Sequence, residues 1–289
     1  AALTAEHGQP VGLGGDLFVD GSLGSHTAAL RTPYADAPGC RGQLHHDADD
    51  IRDLILTATA TGAQAGFHAI GDAALDTVLA GLEAAAAAVG LPAVIAGRHR
   101  VEHAEMTHPE HIGRMARLGL VASVQPAFDA RYGGPAGLYA TRLGAARAAA
   151  MNPFAALARA GVTLAFSSDA PVTPLDPWGA VRAATCHHSP HARLSAHAAF
   201  TAATRGGHRA ARADTGNAGL LTPGAPATFA VWAVTAELAP PAPDSRLAAW
   251  STDPRPTRPV LPDLAGPDPV CLRTVLRGQV IHDRMGEQT

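Results

Sequence analysis

His68, His103 and Asp169 are the residues of this 289-residue sequence whose types and settings best suit catalysis. His68 comes late in the apolar run Ala65-Gly66-Phe67-His68-Ala69-Ile70, which stops at Gly71-Asp72. His103 ends Arg100-Val101-Glu102-His103, and Asp169 follows Leu164-Ala165-Phe166-Ser167-Ser168. Neutral imidazole is a good ligand for zinc, and a carboxylate beside the ion can take a proton from water whose pKa the metal lowers. The three together would generate a metal-activated hydroxide. Singly, each has a plain structural reading: a satisfied core histidine, or an aspartate that shapes the turn before Ala170-Pro171. Their coincidence at the ends of three predicted strands favours the metal.

Other groups fit this chemistry less well. His99 and His103 are four residues apart, which on a strand separates them by about 13 Å, too far to share one ion. Cys186, His187, His188 and His191 have the composition of a metal cluster, but Ser189-Pro190 interrupts them and favours a loop. His45-His46 reads as the polar lead-in to a helix. Ser22, Ser25, Ser167 and Ser168 lack the Gly-x-Ser-x-Gly turn of a serine hydrolase.

Composition narrows the field further. All 22 basic residues are arginine, so Schiff-base, P-loop and carboxylated-lysine chemistry are excluded. The basic residues are fewer than the 25 acidic ones and form no continuous face, which argues against a nucleic-acid partner. Cys40, Cys186 and Cys271 lie far apart, supporting neither a disulfide framework nor a cysteine zinc site, and a cytoplasmic setting is the expectation. No apolar run is long enough to span a membrane.

The elements that must carry these side chains are short β-prone runs alternating with Ala-rich helical stretches, the pattern of parallel strands with crossover helices. Strands are predicted at Asp16–Asp20, Ala65–Ile70, Arg100–His103, Leu120–Val124 and Thr163–Ser167. Helices are predicted at Asp47–Thr61, Asp72–Val89, Pro109–Leu118, Arg142–Ala160, Trp178–Thr185 and Ser195–Thr204, with Phe128–Tyr139 read as a loop. The C-terminal ends of parallel strands are the edge where α/β enzymes build their sites. Beyond Thr215 the character changes. A strand at Thr228–Val234 and an apolar run at Cys271–Ile281 are expected to pair in a small β-domain, with the Pro-rich segment Pro240–Pro269 between them as a surface loop. Five strands are too few to close an eight-stranded barrel.

Five stretches together resemble one family: Asp20-Gly21-Ser22-Leu23-Gly24-Ser25, His68-Ala69-Ile70-Gly71-Asp72, Arg100-Val101-Glu102-His103-Ala104-Glu105, Ser123-Val124-Gln125-Pro126 and Ser168-Asp169-Ala170-Pro171-Val172. Their order and spacing are similar to the amidohydrolase superfamily, in the family-3 branch that includes N-substituted formamide deformylase. The likeness runs from about Gly14 to Trp232 and takes in Gly219-Leu220-Leu221-Thr222-Pro223-Gly224. The resemblance implies an α/β fold: a partial TIM-barrel-like (β/α) hydrolase lacking its first strands, over residues 1–214, with a small C-terminal β-sandwich portion over 215–289. It also implies a divalent metal, usually zinc, with one ion favoured over two. His68 and His103 then look like the strand-five and strand-six ligands, and Asp169 like the strand-eight aspartate that binds metal and serves as general base. Asp72 and Glu102 would be ligand-orienting or substrate-side groups. Gln125 would either reach substrate or make a structural hydrogen bond.

Two departures matter. The superfamily's first strand carries a His-x-His pair, and no two histidines here lie two apart, so the chain is expected to be the C-terminal portion of a larger protein. Where many relatives carry a carboxylated lysine this sequence has Asp16, with Asp20 expected on the same strand face, leaving a single metal or a carboxylate-bridged pair. The expected function is metal-dependent hydrolysis of a C–N bond in a small-molecule amide, formamide or cyclic amide. The alternatives are a non-catalytic α/β module completed by a partner and a deaminase of the same superfamily. Alone, the chain is expected to bind metal weakly, to show little activity and to self-associate through an unpaired sheet edge as a homo-oligomer.

Overall fold

The computed structural model describes residues 13–234, 238–239 and 261–286. Five parallel strands form the main sheet: β1 (Leu13–Phe18), β2 (Ala65–Ala69), β3 (Arg100–His103), β4 (Val121–Val124) and β5 (Thr163–Phe166). Their spatial order follows the sequence, β1-β2-β3-β4-β5, with no reversal. A doubly wound sheet reverses direction at a switch point, whereas an arc of a (β/α) barrel does not. The expected fold class therefore holds as a barrel-like α/β arc.

Helices connect the strands. They include α1 (Ala48–Thr61), α2 (Asp72–Val89), α3 (Leu91–Gly97), α4 (Pro109–Arg117), α5 (Pro126–Tyr132), α6 (Leu138–Leu143), α7 (Ala145–Ala149), α8 (Phe154–Arg159), α9 (Pro177–Thr185) and α10 (Ala196–Thr201). Asp47 caps α1 by accepting from the Asp49 and Asp50 amides. The outer face of the sheet presents Phe67, Ala69, Val101, Ala122 and Val124 to one core, which also holds Ile51 and Ile55 of α1 and Leu75, Leu79 and Leu82 of α2. A second apolar cluster, with Leu23, Leu30, Tyr34, Ile70, Met106 and Tyr139, joins the segment after β1 to those after β2, β3 and α5. It braces the rim where the strands end.

Several boundaries differ from the sequence reading. β1 ends at Phe18 rather than Asp20, because the Asp20 carboxylate takes backbone amides from two other segments and the chain turns there. Asp20 therefore does not continue the strand face of Asp16. The predicted helix Arg142–Ala160 is three short helices, interrupted at Gly144 (φ +79°) and at Asn152-Pro153. Proline lacks the amide and pushes the residue before it out of helical geometry. The expected loop at Phe128–Tyr139 begins as α5, with Pro126 in its first turn, and α3 was not foreseen. The helix predicted to Thr204 gives way at Ala202 to a wider turn of helix through Gly206.

The C-terminal run folds as a hairpin, β9 (Val270–Leu276) and β10 (Gln279–Asp283), with β9 antiparallel to β6 (Phe229–Ala233) as expected. Arg277 (φ +49°) and Gly278 (φ +84°) both adopt the left-handed backbone that a two-residue hairpin turn requires. Two short strands, β7 (Leu238–Ala239) and β8 (Leu261–Pro262), pair separately. Most of the Pro-rich segment lies outside the described residues.

Candidate metal centre

Three side chains from adjacent strands converge at the C-terminal rim. Asp16 lies where the β1–β2 register shifts, His68 is the penultimate residue of β2, and His103 ends β3. The Asp16 Oδ1 atom is 3.7 Å from His68 Nδ1 and 3.9 Å from His103 Nε2. One donor atom from each residue falls within 4.8 Å of the others, and this is the group of that kind among the described residues. The imidazole rings meet edge to face with centroids 4.4 Å apart.

Register alone would not bring His103 here. Its Cα pairs with Ala69, whose side chain faces the helices, while the neighbouring Glu102 pairs with inward-facing His68. His103 has φ +71° and Ala104 φ +47°, and this pair of left-handed residues re-aims the ring toward β2. Non-glycine residues held in this region mark sites where the surroundings overrule local preference.

Hydrogen bonds fix which nitrogen of each ring is free. The Gly21 carbonyl, 3.1 Å from His68 Nε2, accepts its N–H, leaving the Nδ1 lone pair buried and without a hydrogen-bond partner. Gln125 Oε1, 2.9 Å from His103 Nδ1, accepts that N–H and leaves Nε2 turned toward Asp16. Gln125 Nε2 donates in turn to Ser167 Oγ at 2.7 Å and to the Ser123 carbonyl at 3.3 Å, which settles its own orientation. Burial, reinforced by the neighbouring His68, depresses the His103 pKa to about 4, so its ring is neutral near pH 7. Two imidazole nitrogens left free by these hydrogen bonds and one carboxylate oxygen are a donor set suited to a divalent metal, and orienting partners of this kind are what ligating histidines use.

The remaining sequence candidates sit around this group. Asp169 follows β5 at φ +52° and is near enough for its charge to bear on His103, but it is outside the three-residue group. Asp20 is fully buried and accepts amides from Ala29 (2.8 Å), Ile70 (3.0 Å) and Gly71 (2.8 Å), so both oxygens are engaged in tying loops together. Gly71 must be glycine for this approach, since a Cβ there would lie 1.9 Å from the Ala29 carbonyl oxygen. Desolvation raises the Asp20 pKa to about 6 against the pull of those amides. Asp72 starts α2 and binds the Arg31 amide (2.8 Å), the Ala73 amide (3.1 Å) and His108 (3.1 Å). Glu102 pairs with Arg100 at 2.9 Å, and burial raises its pKa.

Sequence reasoning missed two buried groups. Glu105 is enclosed and accepts the Tyr139 hydroxyl, and burial pushes its pKa up to about 7. Asp129 on α5, also buried, accepts the His188 amide at 2.9 Å and stands 3.3 Å from His187 Nε2. This clamps the segment after α9 onto α5, in keeping with the loop reading of His187 and His188. Nothing in the spacing of either group points to its partner. Only the presence of Glu105 in the Arg100–Glu105 motif sets it apart.

The fold defines a class before it defines a family. The chain resembles the crystal structure of an uncharacterized metal-dependent hydrolase from Pyrococcus furiosus, with a TM-score of 0.61 and 32% identity over 69% of this chain and 40% of that one. The model of the amidohydrolase family matches residues 5–282, and the chain belongs to that family, in its family-3 branch. It is 34% identical over 176 residues to the Bacillus subtilis protein YtcJ, named as an amidohydrolase, covering 61% of this chain and 31% of that protein. It is 35% identical over 225 residues to the Arabidopsis thaliana protein LONG AFTER FAR-RED 3, covering 74% of this chain and 37% of that protein. The chain thus spans about a third of the length of these two curated relatives.

Proposed function

We propose that this protein is a metal-dependent hydrolase of carbon–nitrogen bonds in small amides, formamides or cyclic amides. In this reading His68 Nδ1, His103 Nε2 and Asp16 hold one divalent ion, and Asp169 is a further ligand and the general base. The observation that carries the reading is the buried, unpartnered Nδ1 of His68 facing a carboxylate and a second free imidazole nitrogen. A buried lone pair with no donor is costly unless something occupies it, and two imidazoles with a carboxylate fit zinc. When bound, such an ion polarises a carbonyl and lowers the pKa of water.

The protein's own groups do the rest. Gly21 and Gln125 keep the two rings in the tautomers that bind, and burial keeps the His103 ring from being protonated. The Asp169 carboxylate takes a proton from the attacking water and returns it to the leaving nitrogen as the C–N bond breaks.

Zinc binding by the chain, measured by competition with a chromophoric chelator, tests the ligand set. One ion per chain is expected, and His68→Ala should weaken it by more than the about 10–100-fold typical of changes to orienting partners. A variant that binds zinc as well as the parent would overturn the assignment. Release of amine or ammonia from a panel of N-substituted amides and exocyclic aminopyrimidines reads the reaction itself. Turnover confined to the aminopyrimidines would make the protein a deaminase.

A further inference from the structure

A cavity of about 720 Å³ opens beside the rim, between α5, the segment leaving β5 and α9. Its size falls within the range of small-molecule sites. Its walls are mostly apolar: Ala127 and Ala130 from α5, Phe166 from β5, Pro174 and Leu175 from the following loop, and Ala183 from α9. Leu175 stands 83% exposed, an apolar residue with no cover among the described residues.

None of Asp16, His68, His103 and Asp169 lines the cavity, which is tied to the proposed centre through its wall. Ser167 in its wall accepts from Gln125 Nε2, and Gln125 Oε1 accepts from His103, so two hydrogen bonds connect wall and ring. Ser168, also in the wall, is the residue before Asp169. Both α5 and the loop before α9 leave the C-terminal ends of strands, where (β/α) enzymes set their specificity.

The ionic groups of the lining are largely engaged. Arg182 pairs with Asp268 at 2.7 Å and donates to the Leu264 and Gly266 carbonyls. Asp176 caps α9 through the Gly179 amide at 2.8 Å, and Arg131 donates to the Val172 carbonyl and lies over the Tyr132 ring. What the cavity offers a ligand is apolar surface with a few hydroxyl groups.

We infer that this cavity seats a neutral, bulky apolar substituent of the substrate, an aryl or branched alkyl group attached beside the scissile bond. The inference rests on the proposed hydrolase reading and narrows its substrate class.

Binding can be measured without turnover, by NMR titration of the chain with N-benzylacetamide and N-methylacetamide, each with and without zinc. The benzyl compound should bind at least about tenfold more tightly, the value of burying one ring. Ala130→Trp, at an exposed wall position, and Ala183→Trp, at a buried one, should each abolish that preference while zinc stoichiometry stays the same. Should Ala183→Trp not fold, as judged by circular dichroism, Ala130→Trp decides alone. Equal affinities in the parent chain, or a benzyl preference that survives the filled cavity, would overturn the inference. A benzyl preference in a chain that binds no zinc would leave the cavity assignment standing and remove the hydrolase reading instead.

Discussion

His99 and His103 flank one strand, the first immediately before β3 and the second at its end, and by burial they are alike. Both are almost fully enclosed, and burial lowers both pKa values to about 4. They differ in the nitrogen left over. His99 Nδ1 accepts the Ala65 amide at 3.0 Å, so its proton sits on Nε2, which has no partner and abuts Gly97. An N–H against a backbone methylene has nothing to offer a cation. His103 has the opposite arrangement: its proton is on Nδ1, held by Gln125, and the Nε2 lone pair faces Asp16 and the ring of His68. Burial and a depressed pKa therefore do not separate a structural histidine from a ligand. The direction of the remaining lone pair, and what stands opposite it, does.

The sharpest way to break this comparison is to remove each ring in turn and measure zinc affinity. His103→Ala should weaken zinc by more than about 100-fold, beyond the reach of an orienting partner, whereas His99→Gln should leave it unchanged and lower only stability. Equal losses in the two variants would mean that zinc affinity reports the integrity of β3 and not ligation. The next effect is smaller. Gln125→Leu removes the acceptor that holds the His103 proton on Nδ1, and zinc affinity should fall about 10–100-fold with no change in stoichiometry. Unaltered affinity would show that the ring keeps its tautomer without Gln125.

The comparison also separates what was legible in the sequence from what was not. Strand and helix alternation places His68 and His103 on neighbouring parallel strands, and α2 has the bounds predicted for it, with Gly71 and Gly90 at its two ends. Asp16 could be flagged only through the family resemblance. The left-handed turn at His103 is invisible to periodicity, which would send that side chain to the helix face with Ala69. Tautomers depend on Gly21 and Gln125, which come from other strands' exits, so no local pattern predicts them. Asp20 and Asp16 look equivalent as strand carboxylates. Only the three amides converging on Asp20 distinguish a brace from a donor. At Gly144 and Pro153 a glycine and a proline overrule the helix propensity of an Ala-rich stretch, which is why the predicted single helix breaks there.

Among the acids, Glu105 sharpens the same lesson with the smallest effect. Its burial raises its pKa to about 7, while in an unfolded chain it would release its proton in the ordinary carboxylate range. Between those values the native state binds more protons than the unfolded state. The contribution to stability is thus fully present at low pH and is lost as pH rises through about 7. Glu105→Gln keeps an acceptor for the Tyr139 hydroxyl but does not titrate. The variant should therefore gain on the parent by about 1 kcal/mol between roughly pH 6 and pH 7.5, read from urea unfolding midpoints at the two pH values. His99 and His103 titrate in both proteins, so their contributions cancel in the difference, whereas the Asp20 charge helps to raise the Glu105 pKa and the difference reads the two carboxyl groups together. A constant offset across that range would mean that Glu105 is already ionised in the fold. The Tyr139 hydroxyl would then be donating to a carboxylate and not to a neutral acid.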